Sequence, residues 1–276
     1  MFFREGFAIS RIMNTTKPVN ILITNDDGIH ADGLFALKNS LSELGTVWIV
    51  APDRPRSACG HSITLHKPLR VNKVRLQDGS DGFACSGTPS DCVSLGILGV
   101  IEGPIDLVVS GINRGPNLGW DLTYSGTVSA AMEGAILGIP SIAASVDSYN
   151  EDVSFDCAAK FVAFLAKEVL SRGLPSDVLL NVNVPPIPES EIRGVEVTRQ
   201  GKRRYFGTVH KRIDPTGRAY YWLGGNTNTE GLEEGTDVKA VADHKISVTP
   251  VHLDLTSYSS LGDLSSWGIE EFKPTP

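Results

Sequence analysis

Four cysteines in 276 residues, Cys59, Cys85, Cys92 and Cys157, include no CxxC pair, so neither a zinc knuckle nor a redox couple is indicated. They read as reduced, mostly buried thiols of an intracellular protein. His30, His61, His66, His210, His244 and His252 show no HxH or HExxH spacing, which removes the zinc-protease arrangement. No apolar run approaches the length of a membrane span, and no internal repeat or low-complexity tract occurs. Positive charge is also short: 25 Lys and Arg stand against 32 Asp and Glu, a net charge of −7. That balance argues against a nucleic-acid polymer as partner but leaves room for a small phosphate ester. The apolar and charged fractions, 41% and 21%, are those of an ordinary folded chain.

Residues 1–18 carry Arg4, Arg11 and Lys17 against Glu5 and lack an apolar segment of secretory length. They read as a flexible extension or as the remnant of an organelle-targeting leader, and the expected compartment is otherwise the cytoplasm.

The chemistry begins at the run Val19 to Thr24, apolar and β-branched as in a strand buried on both faces. It ends abruptly in Asn25-Asp26-Asp27-Gly28, and in open α/β sheets ligands bind at the carboxyl ends of strands. Adjacent carboxylates repel each other unless a cation or a shared proton intervenes. The same residues also suit a solvated Asx-turn that caps the next helix, and this stretch alone leaves both readings open. Leu34, Leu37, Leu41 and Leu44 then form a helical stripe, with Asp32 expected at its N-cap and Gly45 at C′. Thr46 to Ala51 is a second buried strand, making a right-handed βαβ unit. Its following loop, Pro52 to Ser57, opens on the same edge as Asp26 and Asp27.

Further elements follow in alternation. Gln77 to Gly82 is a polar turn, and a helix starts at Thr88-Pro89-Ser90-Asp91 and runs through Val93, Ile97 and Val100. The strand Ile105 to Val109 ends in Ser110 to Gly115, and Tyr124-Ser125-Gly126-Thr127 leads into a helix of small residues, Val128 to Leu137. Next come a strand at Ser141 to Val146, a helix burying Ala158, Phe161, Val162, Leu165 and Val169, and a strand at Asp177 to Val184. Beyond Pro185 the pattern becomes antiparallel: Arg199 to Gly225 alternates as a hairpin about Asp214-Pro215-Thr216-Gly217. A short helix (Thr236 to His244) and a strand (Ile246 to Val251) complete it. The expected fold is α/β: a Rossmann-like, mostly parallel sheet flanked by helices over 19–185, with a C-terminal extension, 186–276, carrying a hairpin arm. The pattern suits an arm that makes an oligomer contact or an active-site wall, and equally one that packs on its own core.

Three strand ends supply oxygen donors: the carboxylates of Asp26 and Asp27, the Ser57 hydroxyl and the Asn113 amide. This set suits one hard divalent cation, Mg²⁺ or Mn²⁺, with water completing the shell. Asp26, Asp27 and Asn113 are the candidate catalytic residues. His61, four residues after Ser57, is a candidate proton donor or a loop histidine with a structural hydrogen bond. Ser125, Gly126 and Thr127 precede a helix whose free amides can hold an anion, or simply cap it. Asn25 and Gly111, flanking the metal candidates, join them as candidate phosphate contacts.

Taken together, these runs resemble the SurE (survival protein E) family from about Val19 to Thr256. The matching stretches are Ile23 to Gly28, Ala51-Pro52-Asp53-Arg54 with Ser57, Gly87 to Val93, Val109 to Asn117, Tyr124 to Gly134 and Ile246 to Pro250. The resemblance implies a metal-dependent phosphomonoesterase of nucleoside 5′- and 3′-monophosphates, with metal ligands at Asp26, Asp27, Ser57 and Asn113. It also implies a homodimer or homotetramer built through the C-terminal arm, with no membrane partner. Ser90 and Ser129 stand where Ala and Gly are frequent, and Ser129 is expected to add bulk beside the phosphate helix.

Direct attack by water is the expected route; the DxD arrangement that usually accompanies a phosphoaspartate is absent. Competing readings are a nucleotide- or metal-binding module without turnover, and a phosphatase of short polyphosphate or sugar phosphates. Trp120, Tyr124, Tyr205 and Phe206 are candidates for stacking on a base.

Overall fold

The computed structural model describes residues 18–228 and 232–274; residues 1–17 of the N-terminal extension lie outside them. The first apolar run forms β1 (Asn20–Thr24). Its alternation sends Ile21 and Ile23 into the core on one face of the sheet and Leu22 into the core on the other. α1 (Asp32–Leu41) buries Leu34, Leu37 and Leu41. Ala31, not Asp32, is its N-cap, and Asp32 is the first helical residue. Gly45 is not a left-handed C′ residue either, because the helix already ends at Ser42. A Cβ at Gly45 would lie 2.2 Å from the Val19 carbonyl oxygen, so the glycine serves the close approach of two chain segments.

β2 (Thr46–Pro52) pairs in parallel with β1. β3 (Val71–Arg75) and β4 (Asp81–Cys85) form a hairpin of which the sequence pattern marks only the intervening turn. α2 (Pro89–Leu95) starts from a Thr88/Asp91 capping box and continues into a π-helical turn, Gly96–Val100. β5 (Leu107–Arg114) runs on through the residues expected to be loop. Then come α3 (Gly126–Ile136), β6 (Ser141–Val146), α4 (Asp156–Arg172) and β7 (Val178–Val184). The remaining elements are β8 (Val195–Val197), β9 (Arg204–Ile213), β10 (Ala219–Asn228), α5 (Asp237–Ala242), β11 (Ile246–His252) and α6 (Tyr258–Ser265).

Nine strands form one sheet in the order β3-β4-β2-β1-β5-β6-β7-β11-β8, parallel from β4 to β7. β3 and β11 run antiparallel to their inner neighbours, β4 and β7. Strands β8 and β11, although they follow residue 185, widen the same sheet. Residues of α1 and α4 share one core cluster with Ile21, Ile23 and Val109, while residues of α2 and α3 share another with Leu22, Val50 and Val108. Both faces are therefore covered, as a parallel sheet requires. β1 lies between β2 and β5, so the chain winds outward on one side of β1 and later returns to the other. That reversal opens a crevice at the carboxyl ends of β1 and β5.

β9 and β10 form a separate two-stranded ribbon. Among the described residues, no helix is long and apolar enough to cross a membrane.

Candidate active site

The residues after β1 resolve the double reading of Asn-Asp-Asp-Gly. Asn25 makes the Asx-turn: its Oδ1 accepts from Gly28 N at 3.1 Å and its Nδ2 donates to Gly28 O at 3.0 Å. Asp26 is then released from turn duty and turned inward, only 5% exposed. Its Oδ1 accepts the Thr127 hydroxyl at 2.5 Å, and its backbone carbonyl accepts Arg56 N at 2.7 Å. The β2 loop is thereby tied to the β1 turn. Asp27, less buried, accepts Arg114 N at 3.3 Å.

β5 reaches the same edge through a register shift between Ser110 and Asn113, which re-aims the residues beyond it. Gly111 (φ +137°) sits at this irregularity, where a Cβ would lie 2.4 Å from the Ala144 carbonyl oxygen. The Gly111–Ile112 peptide is cis. Asn113 donates from Nδ2 to Gly115 O at 2.8 Å, which leaves its Oδ1 as the end available for a ligand.

α3 supplies the third wall. Ser125 is its N-cap, with Oγ accepting Val128 N at 3.0 Å. A Cβ on Gly126 would lie 2.8 Å from Asp26 Cβ and 3.0 Å from Cys59 Sγ, so only glycine lets the helix start this close to the carboxylate. Ser129 does not add bulk to the cleft as expected. Its buried hydroxyl turns back along the helix and donates to Ser125 O at 2.6 Å.

Burial pushes the Asp26 carboxyl up from its ordinary 3.8 to about 6, and the neighbouring Asp27 charge adds to the rise against the bond from Thr127. Asp27 is raised as well, first by burial, with the Arg114 amide and guanidinium pulling the other way. Two carboxylates are thus held side by side in a poorly solvated pocket, a pairing that a cation relieves.

The structure gathers Asn25, Asp26, Asp27, Gly111, Asn113, Ser125, Gly126 and Thr127 at one edge of the sheet, where β1 and β5 end and α3 begins, with Asn25 and Gly111 buried beneath it. Ser57 is exposed, one residue beyond the Arg56–Asp26 backbone bond. His61 is seated on α3, its Nε2 2.9 Å from Glu133 Oε2. Glu133 is buried, and its other oxygen accepts the Ser94 hydroxyl at 2.5 Å. Thr64 fixes the same loop to α2 by donating N–H and O–H to Asp91 at 2.8 and 2.7 Å. Glu133 and Cys59 escape the sequence reading; an acid embedded among small apolar residues was the available signal for the first.

Among the described residues, no three His, Cys, Asp or Glu side chains converge. The donors on offer are two carboxylates and neutral oxygens, with Asn113 Oδ1 facing no other demand from its own amide. Such an all-oxygen set fits a hard divalent cation.

Fold and site together define an open α/β protein with two adjacent carboxylates, beside the start of α3, at its switch point. The model of the family described as "Survival protein SurE" matches residues 21–207. The chain is 53% identical over 256 residues to a Geobacter sulfurreducens protein named 5′-nucleotidase SurE, covering 93% of this chain and 96% of that one. It is 51% identical over 252 residues to the Geotalea daltonii protein of the same name, covering 91% and 100%. The crystal structure of the SurE protein from Aquifex aeolicus superposes with a TM-score of 0.78 at 47% identity, covering 90% of this chain and 99% of that one. The chain belongs to the SurE family, and with it to the phosphoric monoester hydrolases.

Proposed function

We propose that the protein is a divalent-metal-dependent phosphomonoesterase that converts nucleoside 5′- and 3′-monophosphates to nucleoside and inorganic phosphate. The observation that carries this reading is the buried Asp26 beside Asp27, facing the start of α3 at the switch point. The nucleotidase names of close relatives support the substrate class.

Asp26, Asp27, Asn113 and Ser57 would hold one Mg²⁺ or Mn²⁺. When bound, the ion polarises the phosphoryl oxygens and makes water a better nucleophile at neutral pH. The amides at the start of α3 receive the remaining phosphate oxygens as charge builds on them, with Ser125, Asn25 and Gly111 shaping the cradle. Thr127 acts at one remove: its hydroxyl is spent on Asp26, fixing that carboxylate. Asp27 orients the attacking water and takes its proton. The P–O bond to the nucleoside breaks as the bond from water to phosphorus forms. His61, oriented by Glu133, gives a proton to the departing oxygen.

The arm supports a homo-oligomer. Two strands alone are marginal in water, and this ribbon exposes Val209, Ile213, Tyr221, Trp222 and Leu223, with Leu223 84% exposed. An apolar surface of this kind is what a second copy covers. Light scattering should give a dimer or tetramer, and Trp222→Ser/Leu223→Ser should shift it toward monomer.

The deciding assay is phosphate release from 5′-AMP, 3′-AMP, sugar phosphates and short polyphosphate, each with EDTA, Mg²⁺, Mn²⁺ or Zn²⁺. Wild type should release phosphate from both nucleotides only with metal, and Asp26→Asn/Asp27→Asn should not. A folded, oligomeric wild type that releases none with any metal would overturn the reading, as would preferred turnover of polyphosphate for its substrate assignment.

A further inference from the structure

Immediately beyond Asn113, β5 delivers a glycine against which an aromatic ring is seated. Gly115 adopts φ +118°, and a Cβ there would lie 2.5 Å from Tyr149 Cε1, 3.1 Å from Cδ1 and 3.3 Å from Cζ. The edge of the Tyr149 ring therefore rests on the Gly115 backbone at a distance no side chain would permit. The Gly115 carbonyl accepts the Asn113 amide at 2.8 Å, so one residue positions both the candidate ligand and the ring. The loop that carries Tyr149 is itself fixed. Gly115 N donates to Val146 O at 3.0 Å, Ser148 N to Val146 O at 2.8 Å, and Asn150 N to Ser148 Oγ at 3.1 Å. Tyr149 nevertheless stays 64% exposed. A large ring seated on the backbone next to Asn113, with most of its surface exposed, has the form of a stacking platform.

The spacing suits a nucleotide. Asn113 and Gly115 are two residues apart, at most roughly 7 Å of chain, a span that a ribose can bridge between a phosphate held near Asn113 and a base over Gly115. Resting on the phosphomonoesterase reading above, we propose that Tyr149 is the surface on which the substrate's nucleobase stacks, and that it gives this site its preference for nucleotides over base-free phosphate esters. Tyr149 was absent from the sequence-derived stacking set. Of that set, Trp120 and Tyr124 are exposed, and the Tyr205 and Phe206 side chains lie outside the described residues.

The test compares steady-state kinetics on 5′-AMP and ribose 5-phosphate, in Mg²⁺ or Mn²⁺, for wild type, Tyr149→Ala, Tyr149→Phe and Tyr124→Ala. Base–aromatic stacking predicts that Tyr149→Ala raises KM for AMP by roughly 5- to 150-fold. Its kcat/KM for ribose 5-phosphate should stay within about twofold of wild type, and Tyr149→Phe, which keeps the ring, should keep the wild-type preference for AMP over ribose 5-phosphate. An equal loss on both esters would mean that the ring only props Asn113, and overturns the proposal. So would no loss on AMP, or a base-selective loss in Tyr124→Ala but not in Tyr149→Ala. Wild type that hydrolyses both esters equally well would refute base recognition while leaving the phosphatase reading intact; wild type that hydrolyses neither would remove both.

Discussion

On the proposed function Asp26 sets metal binding against stability, and the conflict can be measured. In the metal-free protein, burial and the Asp27 charge hold its carboxyl at about 6 against an ordinary 3.8, a difference of about 3 kcal/mol between its charged and neutral forms. The folded state binds this proton more tightly than the unfolded chain does. Stability from protonation is therefore complete below about pH 4, is lost as pH rises through about 6, and is absent at pH 8. Asp26→Asn keeps the shape and an oxygen that can accept the Thr127 hydroxyl, but removes the charge. In EDTA at pH 8 the variant should exceed wild type by about 1–3 kcal/mol, the lower figure allowing for an imperfectly paired amide NH₂. In a chain of this size that raises Tm by roughly 3–10 °C. The advantage should fall to about half at pH 5 and nearly vanish at pH 4, where wild-type Asp26 holds its own proton. Saturating Mn²⁺ at pH 8 should reverse the order, because only wild type gains binding free energy. Melting curves at the three pH values, with and without metal, provide the assay. A variant less stable than wild type in EDTA at pH 8, or an advantage independent of pH, would refute the argument.

Three further outcomes follow from the packing around the crevice. Gly126→Ala places a Cβ 2.8 Å from Asp26 Cβ, and should cut kcat/KM for AMP at least about tenfold by displacing the carboxylate; a fully active variant would show that the contact is slack. N-Ethylmaleimide should label half-buried Cys59 and Cys157 before buried Cys85 and Cys92, with inactivation tracking Cys59 by mass spectrometry and absent in Cys59→Ser. Burial and the Asp26 charge push the Cys59 thiol up, so labelling should quicken toward pH 9. Glu133→Gln, which removes the charge beside His61, should slow turnover of AMP by roughly 10- to 100-fold yet spare p-nitrophenyl phosphate, whose leaving group needs no proton; equal slowing of both would assign Glu133 a structural role alone.

The parts legible in the sequence are those where local pattern and tertiary position coincide. β1 reads clearly because it is buried on both faces and ends in residues that no strand interior tolerates, and the strand ends that meet at the crevice follow from parallel winding. β3 and β8 do not read, since they are short and their sequences are shaped by solvent as much as by packing, and β4, though mostly buried, is five residues long and opens on Asp81-Gly82. α6 buries nothing among the described residues and carries no capping side chain, so its pattern had little to announce it. In the crevice, ligand candidates were visible as strand-end residues. The partnership of His61 with Glu133, across 72 residues, and the seating of Tyr149 on Gly115 exist only once loops from different strands are folded together.

α3 explains why those long-range pairs are reproducible in position. Its N-terminus can approach Asp26 only because residue 126 is glycine. Its middle can lie on the sheet only because residue 134 is too: a Cβ at Gly134 would sit 2.3 Å from Ser141 Oγ and 3.0 Å from Val108 Cβ. The helix is therefore clamped at two points by atoms that leave no room for sliding. Thr127 and Glu133 lie six residues apart on that clamped segment, about 9 Å of helical rise. One holds a crevice carboxylate and the other holds His61. The distance between the fixed carboxylate and the histidine is thus set by helix geometry rather than by loop conformation, which keeps Asp26 and His61 in register although each sits on a loop. The small-residue composition of α3 is the cause of that rigidity, and larger residues at 126 or 134 would loosen the geometry before they unfolded the domain.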